Sequence, residues 1–217
     1  MNQTIALPTT FAPVPVPVPV PVPYDENRDA PFIALESVSG VGKSTLTAEL
    51  AHRWGGTGIH TLAPPHSGWS READRMKPLP HLAFYLSDRI RQSLAIGPVI
   101  ADRYASSITA CQAAVHGADI AEVDRLIAPF RPYLVVPDHT FYLRCSEETL
   151  RERMAVKGDT KQDDADLFAI PGRLKQLTAN FEAVANDDPT AIVLDTDGLT
   201  PDDLANLITA HLESHRA

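Results

Sequence analysis

The segment that most constrains this chain runs Phe32-Ile33-Ala34-Leu35-Glu36-Ser37-Val38-Ser39-Gly40-Val41-Gly42-Lys43-Ser44-Thr45. An apolar run enters a turn of small residues that ends in Gly-Lys-Ser-Thr, and a helix-forming stretch from Leu46 to Trp54 follows. Strand, glycine-rich turn and helix N-terminus together make the context of a phosphate-binding loop. The turn Ser39-Gly40-Val41-Gly42-Lys43-Ser44-Thr45 would wrap the phosphates of ATP. Gly40 and Gly42 let backbone N–H groups point at phosphate oxygens with no Cβ in the way. Lys43 would reach the β- and γ-phosphates, and the Ser44 hydroxyl would ligate Mg²⁺. Ser37 stands where such loops usually have their first glycine. A plain βα connection with a chance lysine has no need of this composition. The sequence therefore predicts binding of a nucleoside triphosphate.

Length and charge narrow the class. The 217 residues suit one domain with a single sizeable core. A formal net charge of −9 argues against broad nucleic-acid binding, which needs a basic face, while leaving room for a local basic pocket. No basic stretch precedes an apolar segment at the N-terminus, and no apolar run is long enough to span a membrane. The two cysteines, Cys111 and Cys145, lie far apart in sequence, so reduced thiols in the cytoplasm and no disulfide framework are expected. The eight histidines show no metal-ligand spacing.

Residues 1–30 form a separate object. Pro13 to Pro23 alternates Pro and Val, which excludes helix and central strand and leaves a polyproline II rod or a disordered tail. From 31 to 217 the chain alternates apolar strands with helical patterns. Strands are expected at Phe32–Glu36, Gly58–Leu62, Pro98–Ala101, His139–Leu143 and Ala191–Asp195. Helices are expected at Lys43–Arg53, Leu82–Leu94, Ser106–His116, Ile120–Ala128, from Ser146 to Val156, Pro171–Ala185 and Pro201–Leu212. Ala63 to Pro80 reads as loop with a broken helix, and Gly158–Asp166 as polar and irregular. Five short apolar strands linked by helices give an α/β fold, a five-stranded parallel sheet covered on both faces, with ligand at the carboxyl ends of the strands.

A second motif, Val99-Ile100-Ala101-Asp102-Arg103-Tyr104, puts an acid and a base at the end of a buried strand. Asp102 is placed to hold Mg²⁺ through water or to orient a phosphate acceptor. Arg103 is placed to fork onto a phosphate. Capping of the next helix is the structural alternative for both, and their position after a phosphate-binding loop favours function.

In this order the motifs resemble thymidylate kinases, within the P-loop nucleoside-monophosphate kinase group. The likeness runs through Ser87-Asp88-Arg89, Asp102-Arg103-Tyr104 with Ser107 and Gln112, Pro137-Asp138-His139-Thr140, Glu152-Arg153-Met154 to Gly158, and Ile192-Val193-Leu194-Asp195. It covers nearly everything from Pro31 to Leu212. The resemblance implies a P-loop kinase fold with a short lid at about 157–170, and in-line transfer of the ATP γ-phosphoryl group to a nucleotide phosphate. It gives Lys43, Asp102 and Arg103 to catalysis, and Ser44 and Asp102 to the metal. Glu36 takes the family's strand-end acid position, and Arg103 with Ser107 the acceptor's phosphate side. Arg89 approaches the base, Tyr85 stacks on it, and Gln112 reads its edge. Arg153, Lys157 and Lys161 belong to the lid. Family members are commonly homodimers, and no independent interface signal is visible here.

Departures from the family pattern bear on the acceptor. Ser39 stands for the usual aspartate. Thr61-Leu62-Ala63-Pro64 stands where the family carries Arg-Glu-Pro, whose arginine clamps the acceptor's phosphate, and no arginine follows before Arg71. The lid offers Lys161, flanked by Lys157 and Arg173, and a lysine is a poorer fork for a phosphoryl group. Cys111 replaces the family's tyrosine near the sugar, which makes the wall smaller. The expectation is weak or absent dTMP phosphorylation, with another nucleotide, nucleoside or small hydroxylated metabolite as acceptor. A regulatory GTPase would need Thr160-Lys161-Gln162-Asp163 to follow a strand, and here it follows a helix. A catalytically silent nucleotide-binding scaffold, using the Pro-Val tail for a partner, would show no Lys43-dependent turnover.

Overall fold

The structure, a computed structural model, describes residues 30–62, 72, 78–92, 97–157 and 162–215. The Pro-Val tail, Arg71, Lys161 and the lid residues 158–161 lie outside the described residues.

The strands β1 (Phe32–Glu36), β2 (Thr57–His60), β3 (Val99–Asp102), β4 (His139–Arg144) and β5 (Ala191–Asp195) form one parallel sheet in the order β2-β3-β1-β4-β5. β1 is central and buried along its whole length, so both its faces must be apolar. Ile33 and Leu35 join a cluster with Leu46, Leu50 and Ile208, while Phe32 and Ala34 join Ile59, Val99, Ala101 and Tyr104. That alternation is the two-residue period of a strand covered on both sides. Register sets the site: Leu35 lies opposite Asp102 and His60 opposite Asp102, so Glu36, His60 and Asp102 share the carboxyl edge of the sheet.

The helices are α1 (Lys43–Trp54), α2 (Pro78–Gln92), α3 (Ala105–His116), α4 (Ile120–Ile127), α5 (Glu147–Ala155), α6 (Gln162–Ala169), α7 (Arg173–Asp187) and α8 (Pro201–Ser214). α2 starts four residues before the expected Leu82, because Pro78 and Pro80 both fit a first turn, where no N–H partner is needed. α4 runs on into a 3-10 helix over Ala128–Tyr133, where Pro132 breaks the α-helical ladder. The largest difference is α6, whose residues up to Asp166 were expected to be irregular. Its polar sequence hides one buried face: Leu167 and Asp164 are buried, Asp164 accepts from Lys157, and Arg151 stacks over Phe168 at 4.3 Å. Neither Cys111 nor Cys145 is in a disulfide, and among the described residues no helix is long and apolar enough to cross a membrane.

At the opposite end of the sheet from those carboxyl termini, His139 meets His211 at 5.2 Å between ring centroids, and His211 stacks on His215 at 4.2 Å. Burial, and then the neighbouring imidazoles, depress the pKa values of His139 and His211 below the ordinary 6.5. The folded state therefore binds fewer protons than the unfolded chain, so stability is present above about pH 6.5 and is lost as pH falls through that value. Thermal melts from pH 8 to pH 5 should show a falling Tm, with a shallower fall in a His139→Phe, His211→Phe double variant. An identical slope in the two proteins contradicts this account.

Candidate active site

A cavity of about 600 Å³ opens at the carboxyl edge of the sheet. The turn Ser39–Thr45 forms its floor, His60, Thr61, Asp102 and Arg103 one wall, and Arg153, Val156, Lys157 and Asp164 the lid side. Leu199, Pro201 and Leu204, at the start of α8, give it an apolar end.

The floor is shaped by backbone that only glycine takes easily. Gly40 has φ +89° and Gly42 φ +108°. A Cβ at Gly40 would lie 2.5 Å from Met154 Sδ and 3.0 Å from Leu150 Cδ1, so α5 packs against the turn and fixes its height. At Gly42 the constraint is conformational, since nothing lies within 4 Å. Gly40→Ala should raise the KM for ATP by roughly tenfold or more, through displacement of the turn, and lower stability by about 1–2 kcal/mol. ATP titration and a thermal melt read both effects, and unchanged values for both contradict the assignment.

Lys43 is 5% exposed, and its Nζ donates to Val38 O at 2.6 Å. Burial first, and then Arg103, lower its amine to about 7, while Asp102 and Glu36 pull it upward. Asp102 lies across the floor. Its Oδ2 accepts from Ser44 Oγ at 2.5 Å and faces His60 Nδ1 at 3.1 Å. Burial alone would raise this carboxyl, but His60, Lys43, Ser44 and Arg103 outweigh it and hold Asp102 well below the usual carboxylate range. An ionised carboxylate beside a hydroxyl is the hard-oxygen donor set that suits Mg²⁺.

Arg103 adopts φ +69°, and its N–H donates to Leu35 O at 3.0 Å. This sharp turn lets Glu36 Oε1 accept from Tyr104 N at 2.8 Å and Ser107 N at 3.1 Å, while Oε2 accepts from Ser107 Oγ. Glu36 is fully buried and caps the start of α3. Its carboxylate thus reaches the site through Arg103 and Ser107. The Arg103 guanidinium leaves the turn toward the cavity, with Nη1 on Ser37 O at 2.8 Å and Ser107 Oγ at 3.3 Å, and Nη2 on Ser39 Oγ at 3.0 Å. Nη1 also lies 3.8 Å from Cys111 Sγ.

Sequence reading brought Ser39, Gly40, Val41, Gly42, Lys43, Ser44, Thr45, Asp102, Arg103, Arg153 and Lys157 to the site, and all of them line this cavity. Arg153 is tied across it: Nη1 donates to Val41 O at 2.9 Å and Thr196 Oγ1 at 2.8 Å, and Nη2 to Thr196 O at 2.8 Å. It bridges the turn to the segment after β5. Glu36, Tyr85, Arg89, Ser107, Cys111 and Gln112 lie outside the lining: Glu36 ends β1, Tyr85 and Arg89 are on α2, and Ser107, Cys111 and Gln112 are on α3. Arg89 is buried and its Nη2 donates to Thr61 Oγ1 at 2.7 Å, which joins that side to the cavity wall. His60 and Thr61 were missed. β2 was expected to end at Leu62, and only the observed register, with β2 ending at His60, puts this imidazole beside Asp102.

Leu62 belongs to the segment from Thr61 to Pro64 that the sequence reading set against the family's Arg-Glu-Pro. It has φ +54°, is 7% exposed, and donates its N–H to Asp88 Oδ2 at 2.9 Å. The side chain at this position is therefore packed inward.

No protein-family model matches the chain. It is similar to the thymidylate kinase of Jannaschia sp. (strain CCS1), with 30% identity over 198 residues that cover 82% of this chain and 93% of that protein. Among solved structures it is similar to thymidylate kinase from Candida albicans, with a TM-score of 0.68 and 17% identity, covering 86% of this chain and 92% of that one. A deoxyadenosine kinase from M. mycoides superposes with a TM-score of 0.63 and 20% identity, covering 84% of this chain and 98% of that one. The two structures share the fold.

Proposed function

The chain belongs to the thymidylate kinase family and is a P-loop phosphotransferase that phosphorylates nucleotides with ATP, and from that premise we propose that it transfers the ATP γ-phosphoryl group to a nucleoside monophosphate, with dTMP a weak acceptor beside another member of that class. The observation that carries the transfer is the convergence of Lys43, Ser44, Asp102 and Arg103 on one cavity, with Arg103 also reaching Ser107 on α3. The inward packing of Leu62 supports weak acceptance of dTMP.

In this reading the turn Ser39–Thr45 holds the ATP phosphates through its N–H groups, and Lys43 exchanges Val38 O for a phosphate oxygen. Ser44 and Asp102 would hold Mg²⁺, which supplies charge neutralisation at the phosphate oxygens when bound. Arg103 orients the acceptor's phosphate from the opposite side, a task its planar fork suits. Glu36 positions Arg103 by pinning the turn and the first residues of α3. Arg153 keeps the turn and the segment after β5 at a fixed separation, and Lys157 enters from the lid side. A preorganised set of this kind acts chiefly by positioning and electrostatic stabilisation. A cytoplasmic location and a homodimer complete the proposal.

Inward packing of Leu62 also favours a second reading, in which the acceptor is a hydroxyl group of a nucleoside or small metabolite and needs no phosphate clamp. An acceptor screen separates the two. With Mg-ATP, ADP release should be saturable with at least one nucleoside monophosphate and weaker with dTMP. Robust release with dTMP and with no other acceptor contradicts the proposed selection. Release with nucleosides alone supports the second reading.

A further inference from the structure

The end of β2 grips Asp102 twice. His60 and Asp102 are partners in the parallel ladder, and His60 Nδ1 lies 3.1 Å from Asp102 Oδ2. The next residue, Thr61, donates its hydroxyl to Asp102 O at 3.1 Å and accepts from Arg89 Nη2 at 2.7 Å. Arg89 is buried, so this second grip is anchored in the interior. The first grip stands in the cavity, where His60 and Asp102 line the same wall. The His60 side chain is 47% exposed and that of Asp102 10% exposed. An imidazole so open to solvent adds little to the core.

The carboxylate sets the direction of the bond. Against the upward push of burial, His60, Lys43, Ser44 and Arg103 keep Asp102 ionised, and an ionised carboxylate only accepts. The ring nitrogen beside it therefore carries a proton. Both the Nδ1–H tautomer and the imidazolium donate there, so the bond does not depend on which of them is present. Ser44 Oγ donates to the same oxygen at 2.5 Å. Two donors thus meet on Oδ2, and among the described residues none ends on Oδ1. Ser44 has given its one proton to Asp102, so its lone pairs remain for a cation.

We propose that His60 is a positioning residue for the divalent cation: by donating to Asp102 Oδ2 it fixes the carboxylate against Ser44, so that Asp102 Oδ1 and the Ser44 lone pairs are set in advance for Mg²⁺. This inference rests on reading Ser44 and Asp102 as the pair that holds the metal. His60 acts through Asp102 and touches neither metal nor nucleotide in this account. Without the imidazole, the carboxylate would lose its side-chain freedom only when the cation arrives, and that ordering would weaken binding. Partners that hold a metal-binding group in this way are worth roughly 10–100-fold in metal affinity.

The test compares wild type, His60→Leu, His60→Asn and Asp102→Asn. Binding of a non-hydrolysable ATP analogue is measured by calorimetry, once with Mg²⁺ and once with EDTA, so that the metal's share of the affinity is read without turnover. Wild type should bind more tightly with Mg²⁺, and Asp102→Asn should lose that gain. His60→Leu should weaken binding with Mg²⁺ by about tenfold and binding in EDTA by less than about threefold. With the best acceptor from the screen, it should need about tenfold more free Mg²⁺ for half-maximal rate, and excess Mg²⁺ should restore most of kcat. His60→Asn should keep the gain, because Asn Nδ2 stands as many bonds from Cα as His Nδ1 and donates from the same place. A His60→Leu protein that loses affinity equally with and without Mg²⁺ overturns the proposal. So does one that melts earlier but keeps the full gain from Mg²⁺, since the imidazole then serves the fold alone. A His60→Asn protein as weak as His60→Leu overturns it too. If wild type shows no gain from Mg²⁺, or Asp102→Asn keeps it, the reading of Ser44 and Asp102 fails and takes this inference with it. If Asp102→Asn loses the gain and His60→Leu keeps it, only the inference falls.

Discussion

Replacement of Lys43 by alanine lowers kcat for ATP turnover by about 10³-fold, while the protein stays folded. Lys43 Nζ lies buried at the floor of the cavity, resting on Val38 O at 2.6 Å, and burial first, then the positive charge of Arg103, lowers its pKa to about 7. An ammonium held away from water in this way gains most when phosphate charge arrives, which is where a donor aimed at developing charge is worth several kcal/mol. Removing it also removes a buried charge from the apo protein, so the thermal stability of Lys43→Ala should match or exceed that of wild type. Steady-state ADP release and a melting curve read the two halves. Full activity in Lys43→Ala overturns the assignment of the phosphate-binding turn and leaves the scaffold reading standing.

Arg103→Lys lowers kcat/KM for the acceptor by roughly 10²-fold and leaves the affinity for an ATP analogue within about threefold of wild type. Charge is retained in this variant and the fork is lost. The guanidinium spans Ser37 O and Ser39 Oγ with two different nitrogens, a geometry that an ammonium does not reproduce. Arg103 already sits at φ +69°, and lysine meets the same backbone strain, so the comparison isolates the side chain. Acceptor titration at saturating ATP, with analogue binding measured separately, separates the two effects. An equal loss in donor and acceptor affinity would place Arg103 on the donor phosphates.

The phosphate-binding turn and the strand ends at Glu36 and Asp102 were legible because they depend on local sequence. A buried apolar run, two glycines and Gly-Lys-Ser-Thr carry their own geometry. What escaped reading depends on residues far apart in the chain. Glu36 was read as the family's strand-end acid beside the substrate, yet its carboxylate accepts from Tyr104 N and Ser107 N, 68 and 71 residues away, and so acts on the segment that carries Arg103. Arg153, expected only in the lid, binds Val41 O across 112 residues. His60 meets Asp102 only through the register of two parallel strands. α6 was hidden for a different reason: Gln162-Asp163-Asp164-Ala165-Asp166 reads as solvated, and burial of Asp164 against Lys157 cannot be read from periodicity. One general signal could have flagged Leu199 and Pro201. They follow β5 directly, and ligands in parallel sheets collect where strands end.

The most direct measurement uses ATP radiolabelled on its γ-phosphoryl group, Mg²⁺ and a panel of nucleoside monophosphates and nucleosides, with the labelled product identified by chromatography. The account predicts label in a nucleoside diphosphate, with more from another nucleoside monophosphate than from dTMP, and none when Lys43 is alanine. Label found only in inorganic phosphate, or diphosphate formation that persists in Lys43→Ala, contradicts it.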